Sequence, residues 1–384
     1  MTSHWRLLIA AVLVLMAGIV ALPRFLPTPQ LRENRVLAAA PAWPPAGLSQ
    51  FRQEADAYVA DRFPPRAILI GALNYARMRL GISGSDRVIV GRKGWLFYDD
   101  GSHLGAARAD PPLTDDEARA WLGVLAGRAQ ALEAQGTEYL VIAPPAKEGV
   151  YGEFGPAWYA GASPRRAGLR LARLAEAAAP GHVMHLEGPV RAVKDRGVLA
   201  FSRHDTHWTG AGAHGGYAAL MARLQASGLG EPSRPLSDFT INPNPKRPRD
   251  LAMMLGVAGY VDIAYRDHID PGAAARNRTH WLTERRGWTA PQVIDTGHAG
   301  KPVLLMTRDS FSNALTPFLY SHFSRLILTH IDDGAWRPEL IAAWRPDVVI
   351  LEVQENSLRH VMGAGPAPSP AGRARIEAAL AANR

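Results

Sequence analysis

The chain has 384 residues, 47% of them apolar and 20% charged, enough to bury a full-sized core and too apolar for a disordered polypeptide. Its 43 Lys and Arg against 35 Asp and Glu leave a formal charge of +8, but no run of like charge marks a nucleic-acid partner. Cysteine is absent, which excludes disulfides, thiol catalysis and cysteine-held zinc, and 36 Gly with 30 Pro argue against a long helical bundle.

Leu7 to Leu22 is an uncharged run of sixteen residues closed by Pro23-Arg24, and it directs the chain to a membrane. The run is shorter than the ~20 residues of a full span, yet no small-x-small cleavage site closes it. The expectation is an uncleaved anchor over residues 1–27, with a cleaved signal peptide as the alternative. Arg24, Arg32 and Arg35 follow the run and Arg6 precedes it, so arginine placement does not fix the topology. Residues 28–86 read as a proline-rich linker, most marked over 23–47, and a helical region. There Phe51, Ala55, Tyr58 and Val59 share one helical face, Pro64-Pro65 breaks the chain, and Ile68, Leu69, Ala72 and Leu73 begin a second.

Residues 87–360 carry the catalytic pattern and 361–384 read as a tail. Arg87 to Tyr98 predicts a hairpin with a glycine-bracketed turn at Gly91 to Gly94. Thr114 to Glu117 forms a capping box before a helix of about twenty residues that ends at Gly136. Strand candidates are Tyr139–Ala143, Val303–Met306, Leu326–Thr329 and Val348–Val353, with helical patterns before and between most of them. Short apolar strands separated by helices predict an open, mostly parallel sheet covered on both faces, with chemistry at the carboxyl ends of its strands.

Two segments carry residue types suited to covalent acyl transfer. Ser310 follows the apolar run Pro302 to Met306 and precedes a helical pattern, so it falls where a strand ends and a helix begins. Backbone N–H groups there are placed to stabilise an oxyanion, although Asp309, Ser310 or Ser312 would equally serve as helix caps. Asp205 and His207, two residues apart in FSRHDTHWTG, project to the same side of an extended segment, as a carboxylate–imidazole pair requires. Two other readings of this segment stay open. One is a metal cluster of His204, Asp205 and His207 completed by His214 or Glu352; the other is a polar loop before a helix capped by Thr209. Trp208 suits either a core position or a platform for a sugar ring.

Taken in order, these motifs resemble the SGNH-hydrolase-like O-acetyltransferases of bacterial exopolysaccharides, the alginate O-acetyltransferase family. The matching segments are Glu33-Asn34-Arg35, Asp61-Arg62-Phe63 with Arg66, Gly91-x-x-Gly94-Trp95-Leu96-Phe97-Tyr98, and Pro144 to Tyr151 with Lys147. Asp205-Thr206-His207-Trp208-Thr209, Asp250-Leu251-x-Met253-Met254-Leu255, Asp309-Ser310-Phe311-Ser312 and Glu352-x-x-Glu355 follow, so the resemblance covers about 33–360. It departs at Arg308, where the family has Gly, and at Asn356, where it has Arg.

The resemblance implies an SGNH-hydrolase-like three-layer α/β sandwich with a mostly parallel central sheet, preceded by the anchor, and a triad of Ser310, His207 and Asp205. It implies neither cofactor nor metal, and a folded part in the periplasm held to the inner membrane. The acetyl group would come from a multispanning membrane acyltransferase and pass to hydroxyls of a polysaccharide; the positive charge allows an anionic polymer. Lys147, Tyr151 and Trp208 are the candidates for substrate contact. A carbohydrate esterase with the same triad and a non-catalytic polysaccharide-binding or assembly protein are the competing functions. Solvent exclusion separates transferase from esterase, and ten Trp mildly favour transfer.

Overall fold

The structure, a computed structural model, describes residues 3–21, 38–41, 47–62, 65–242, 249–261, 267–363 and 365–382. Most of the proline-rich linker lies outside the described residues, as do Glu33-Asn34-Arg35 and Phe63. Ser3–Ala21 is helical and its side chains from Leu7 to Val14 are exposed. No helix among the described residues is long and apolar enough to cross a membrane. The predicted helical pair forms as Leu48–Arg62 and Pro65–Arg79.

The strands in chain order are β1 (Val88–Val90), β2 (Leu96–Tyr98), β3 (Glu138–Ala143), β4 (Val183–His185), β5 (Thr240–Ile241), β6 (His268–Ile269), β7 (Arg278–Trp281), β8 (Gln292–Asp295), β9 (Val303–Arg308), β10 (Arg325–His330) and β11 (Val348–Glu352). Seven of them make the central sheet in the order β4-β3-β11-β9-β10-β8-β7. The five from β4 to β10 are parallel, while β8 and β7 close one edge antiparallel. β1 and β2 form the predicted hairpin, pairing Val88 with Tyr98 and Val90 with Leu96.

Side-chain alternation along apolar strands fills both faces of the sheet. Leu140, Ile142, Leu304, Met306 and Ile350 enter one core with the helices Glu187–Asp195, Gly210–Ala226 and Ser312–Leu319. Tyr139, Val141, Leu305, Val349 and Leu351 enter the other with Asp115–Glu133, Ala167–Ala178 and Pro370–Ala382. Three layers result. The helix Asp115–Glu133 starts at the expected capping box, where Thr114 Oγ1 accepts from Glu117 N and Glu117 returns a bond to Thr114 N. Residues 361–384, read from sequence as a tail, differ from that expectation: Pro370–Ala382 is a helix whose Ile376, Ala379 and Leu380 are buried in the second core. A smaller third core of Met78, Val88, Val90, Leu96, Leu251 and Leu255 joins the hairpin to the helix Pro65–Arg79.

Candidate active site

Four parallel strands end around one cavity of about 540 Å³. Lys147 and Glu148 follow β3, Asp309 to Phe311 follow β9, His330 closes β10, and Gln354 and Asn356 follow β11. This is the carboxyl edge of the sheet, where loops from neighbouring strands converge.

Ser310 sits half-buried in the tight turn between β9 and the helix Ser312–Leu319. Carboxylates shape that turn. Asp309 accepts from Phe311 N at 2.8 Å and from Gln354 N at 2.7 Å, and Asp309 N donates to Glu352 at 3.2 Å. Asp309 is raised above its ordinary pKa by burial, against the pull of those N–H groups. Glu352, fully buried at the end of β11, is raised well above its ordinary pKa by burial and by the neighbouring Asp309. The N–H of Phe311 is therefore committed to Asp309, whereas Ser310 N has no acceptor among the described residues. The oxyanion donors expected from the helix start reduce, in this turn, to the serine's own amide.

Asp205 and His207 lie in the loop between Phe201 and Trp208, which meet in an isolated antiparallel bridge. Thr209 caps the helix Gly210–Ala226 by accepting from Gly212 N, so the capped-helix reading and the Asp–His pair coexist in one segment. A Cβ on Gly212 would collide with Ala200 O, so glycine is what lets this helix start so close to the bridge. The segment after Arg249 holds the loop from behind. Asp250 N donates to Asp205 at 3.1 Å, Thr206 N and Oγ1 both donate to the Asp250 carboxylate, and Ala252 N donates to His204 O at 3.1 Å.

The result is a continuous chain of hydrogen bonds. His207 Nδ1 lies 2.6 Å from Asp205 Oδ1, and His207 Nε2 lies 2.8 Å from Ser310 Oγ across 103 residues of sequence. Burial works against charge on the His207 ring, but the Asp205 carboxylate, backed by Asp250 and Asp309, outweighs it and raises the pKa. Burial likewise opposes the Asp205 charge, yet the His207 ring and the N–H groups of His207 and Asp250 lower its pKa. With Nδ1–H donated to an ionised Asp205, Nε2 is left as the acceptor facing the serine hydroxyl.

These observations bear on the family. The model of the SGNH hydrolase-like domain of the acetyltransferase AlgX matches residues 88–338, which include the Asp205–His207 loop and the Ser310 turn. The chain belongs to this family. Among solved structures, PatB1 of Bacillus cereus with a sulfonyl adduct is similar over 74% of this chain and 99% of its own, at 14% identity and a TM-score of 0.51. The O-acetyltransferase domain of Pseudomonas putida AlgJ covers 76% of this chain and 98% of its own, at 21% identity and a TM-score of 0.45. No curated protein matches the chain. Membership of the AlgX-type acetyltransferase family agrees with the parallel sheet and assigns the chain to acyl-transfer chemistry in general.

The structure revises the three expected substrate contacts. Trp208 has no exposed surface and its indole N–H donates to Phe311 O at 2.9 Å, so it is a core strut and not a platform for a sugar. Tyr151 is buried against Trp95, with ring centroids 4.4 Å apart, and its hydroxyl accepts from Ala200 N. Lys147 borders the cavity, but its ammonium is spent on Leu96 O at 2.5 Å and Ser202 O at 3.1 Å, tying hairpin to loop. Burial pushes Lys147 down to about 8, and pushes its neighbour Glu148 up to about 7.

The metal alternative does not assemble as expected either. His214 turns to Arg234 O at 2.8 Å and Glu352 supports the Ser310 turn. Among the described residues, the groups of three acid or imidazole side chains that do come close are Asp205–His207–Asp250 and His185–Glu187–Glu355. Asp250 is the residue that sequence reasoning left without a role; its place in an ordered motif was the available signal. Arg308, the family's glycine position, is buried and donates to Ser312 Oγ, Asn313 Oδ1 and Trp288 O. It braces the turn from its far side. Asn356 is exposed at the cavity margin.

Proposed function

We propose that this chain is a periplasmic O-acetyltransferase that carries an acetyl group on Ser310 from a donor to the hydroxyls of an exopolysaccharide. The observation that carries the reading is the hydrogen-bond chain Asp205–His207–Ser310, with 2.6 and 2.8 Å links, inside the segment matched by the acetyltransferase family. His207 Nε2 takes the Ser310 proton as Oγ bonds the acyl carbon. The oxyanion is met by Ser310 N–H, and the proton passes to the departing donor group as the tetrahedral intermediate collapses to the serine ester. In the second half His207 takes a proton from a sugar hydroxyl as its oxygen bonds the acyl carbon, and returns that proton to Ser310 Oγ as the tetrahedral intermediate collapses and the serine ester bond breaks. Asp205 holds the ring in the required tautomer throughout and favours the imidazolium that forms.

Attachment to the inner membrane through residues 1–27, and a multispanning acyltransferase as donor, belong to the same proposal. The sixteen-residue apolar run and the family resemblance support them. The test is intact-mass spectrometry of the full-length chain after incubation with 4-nitrophenyl acetate. One added acetyl group, absent from Ser310→Ala and discharged faster to an oligosaccharide than to water, is expected. Discharge to water alone would identify an esterase, and an adduct on Ser310→Ala would remove the serine from the mechanism.

A further inference from the structure

The helix Pro65–Arg79 is apolar on two sides, and the fold covers one of them. Gly71, Asn74, Tyr75 and Met78 share its inner face: the Asn74 amide donates to Leu255 O at 2.9 Å, Met78 is buried in the third core, and a Cβ on Gly71 would collide with the Tyr260 ring. The outer face repeats at helical spacing through Leu69, Ala72, Leu73 and Ala76, and Leu80 just past the end continues it. It is bare. Leu69 is 59% exposed, Leu73 51% and Leu80 76%, with Ile68 and Ile82 exposed beside them. The apolar face expected from the sequence at Ile68, Leu69, Ala72 and Leu73 is thus the face turned to solvent, and a contiguous apolar stripe in that position marks a contact with something outside the chain.

The charges beside the stripe say what that contact is. From Pro65 to Ser85 the sequence holds Arg66, Arg77 and Arg79 and no Asp or Glu, whereas the preceding helix Leu48–Arg62 mixes Arg52 with Glu54 and Asp56. Arg77 and Arg79 are exposed, fall on opposite margins of the stripe, and pair with no carboxylate among the described residues. Leucines flanked by unpaired guanidinium groups match a bilayer surface, whose acyl chains take the apolar side chains while anionic headgroups take the cations. A second copy would offer only the same surface, with cations and no acid to meet them.

We propose that the outer face of Pro65–Arg79 lies in the plane of an anionic bilayer surface, with Leu69, Leu73 and Leu80 at the acyl boundary and Arg77 and Arg79 at the headgroups. This rests on the membrane attachment read above, and adds an in-plane contact to an apolar run of sixteen residues that is short for a span. The contact also orients the catalytic unit. Met78 shares the third core with Val88, Val90 and Leu96, and Leu96 O accepts from Lys147 at the border of the triad cavity, so the helix and the cavity face the bilayer as one piece.

The chain has no cysteine, so one introduced thiol reports one position. Full-length Ala76→Cys, with Gln225→Cys at an exposed position of the helix Gly210–Ala226 as reference, is labelled with the fluorophore NBD and reconstituted into vesicles of phosphatidylglycerol and phosphatidylcholine that carry a shallow doxyl quencher. The label at position 76 is blue-shifted and quenched at least about fivefold more than the label at position 225, and the difference shrinks in pure phosphatidylcholine or as salt is raised. Adding Arg77→Gln and Arg79→Gln to the Ala76→Cys chain lowers the ratio of lipid-immersed to water-exposed label by about tenfold, as the loss of two cations near an anionic surface requires. Equal quenching at the two positions, or a label at position 76 that stays in water on vesicle-bound protein, would overturn the proposal and leave the anchor standing. Energy transfer between labels at position 76 without lipid quenching would replace the bilayer by a second copy. A full-length chain that does not float with the vesicles would remove both the anchor and the in-plane contact.

Discussion

Of the imidazole–carboxylate pairs near the carboxyl edge of this sheet, His207–Asp205 meets a nucleophile and His185–Glu355 does not. His207 is 2.6 Å from Asp205, keeps 23% of its side chain exposed, and presents Nε2 to Ser310 over a cavity. His185 is 2.8 Å from Glu355 and 4% exposed, and its carboxylate partner is also bound by Arg166 Nε at 2.8 Å and Ala146 N at 2.8 Å. Arg166 in turn pairs with Glu187. The residue types are the same, yet the third partner differs: a hydroxyl with access to substrate in one case, an always-charged guanidinium sealed in the core in the other. A His–carboxylate pair is thus a structural joint until something reactive and reachable completes it.

The comparison breaks most decisively at the serine. Ser310→Ala should lower acetyl transfer by about 10⁶-fold while leaving the melting temperature near wild type, because the hydroxyl is a reagent and not a core element; stopped-flow and calorimetry together check this. Asp205→Asn should follow at about 10⁴-fold, through loss of the tautomer it enforces. It also has a signature in pH. His207 is active when neutral and its pKa is raised by Asp205, so the wild-type rate climbs with pH through a midpoint above the ordinary histidine value. The asparagine variant should shift that midpoint downward, and an unmoved limb would show that another group titrates.

Trp208→Phe keeps an aromatic ring but deletes the bond to Phe311 O and part of the buried indole, and a roughly tenfold to hundredfold fall in kcat is expected from a slackened serine–imidazole geometry. Glu355→Gln lies at the far end of the scale for rate. It should cost about 3 kcal/mol of stability by leaving Arg166 short of a buried partner, yet keep the rate per folded molecule within about threefold. The sign with pH is fixed. Burial opposes the Glu355 charge, but His185, Arg166 and Ala146 N lower its pKa, so the stabilisation is complete above the ordinary carboxylate range and is lost as pH falls toward the lowered value. Urea denaturation at neutral and acid pH measures it; a wild-type activity loss in Glu355→Gln at full folding would erase the distinction between the two pairs.

Sequence reading found β3, β9, β10 and β11 because each is an apolar run buried on both faces, the signature of a central parallel strand. It missed the short inner strand β8 and the two-residue strands β5 and β6, and at the edges of the central sheet it missed β4, only three residues long, and β7, whose Arg278–Trp281 is largely exposed and carries no apolar alternation. Such edge strands are specified by a neighbour's hydrogen bonds, which local composition does not reveal. The site divides the same way. Ser310, His207 and Asp205 announce themselves by residue type and spacing, whereas burial decides the fate of Lys147, Tyr151 and Trp208, and burial is a property of the assembled layers. Asp250 was legible as part of a motif but not as the residue whose N–H and carboxylate brace the Asp205 loop.

The bond from Trp208 Nε1 to Phe311 O joins the residue after the imidazole to the residue after the serine. The spacing of base and nucleophile is thereby gauged one position along the chain, by two groups that exchange no proton and carry no acyl group. In engineering language the reactive contact is unloaded: it can be made and broken at every turnover while a parallel tie keeps the tolerance between two segments 103 residues apart. A wider or narrower tie at this point would retune the reach of the base without altering any reacting atom.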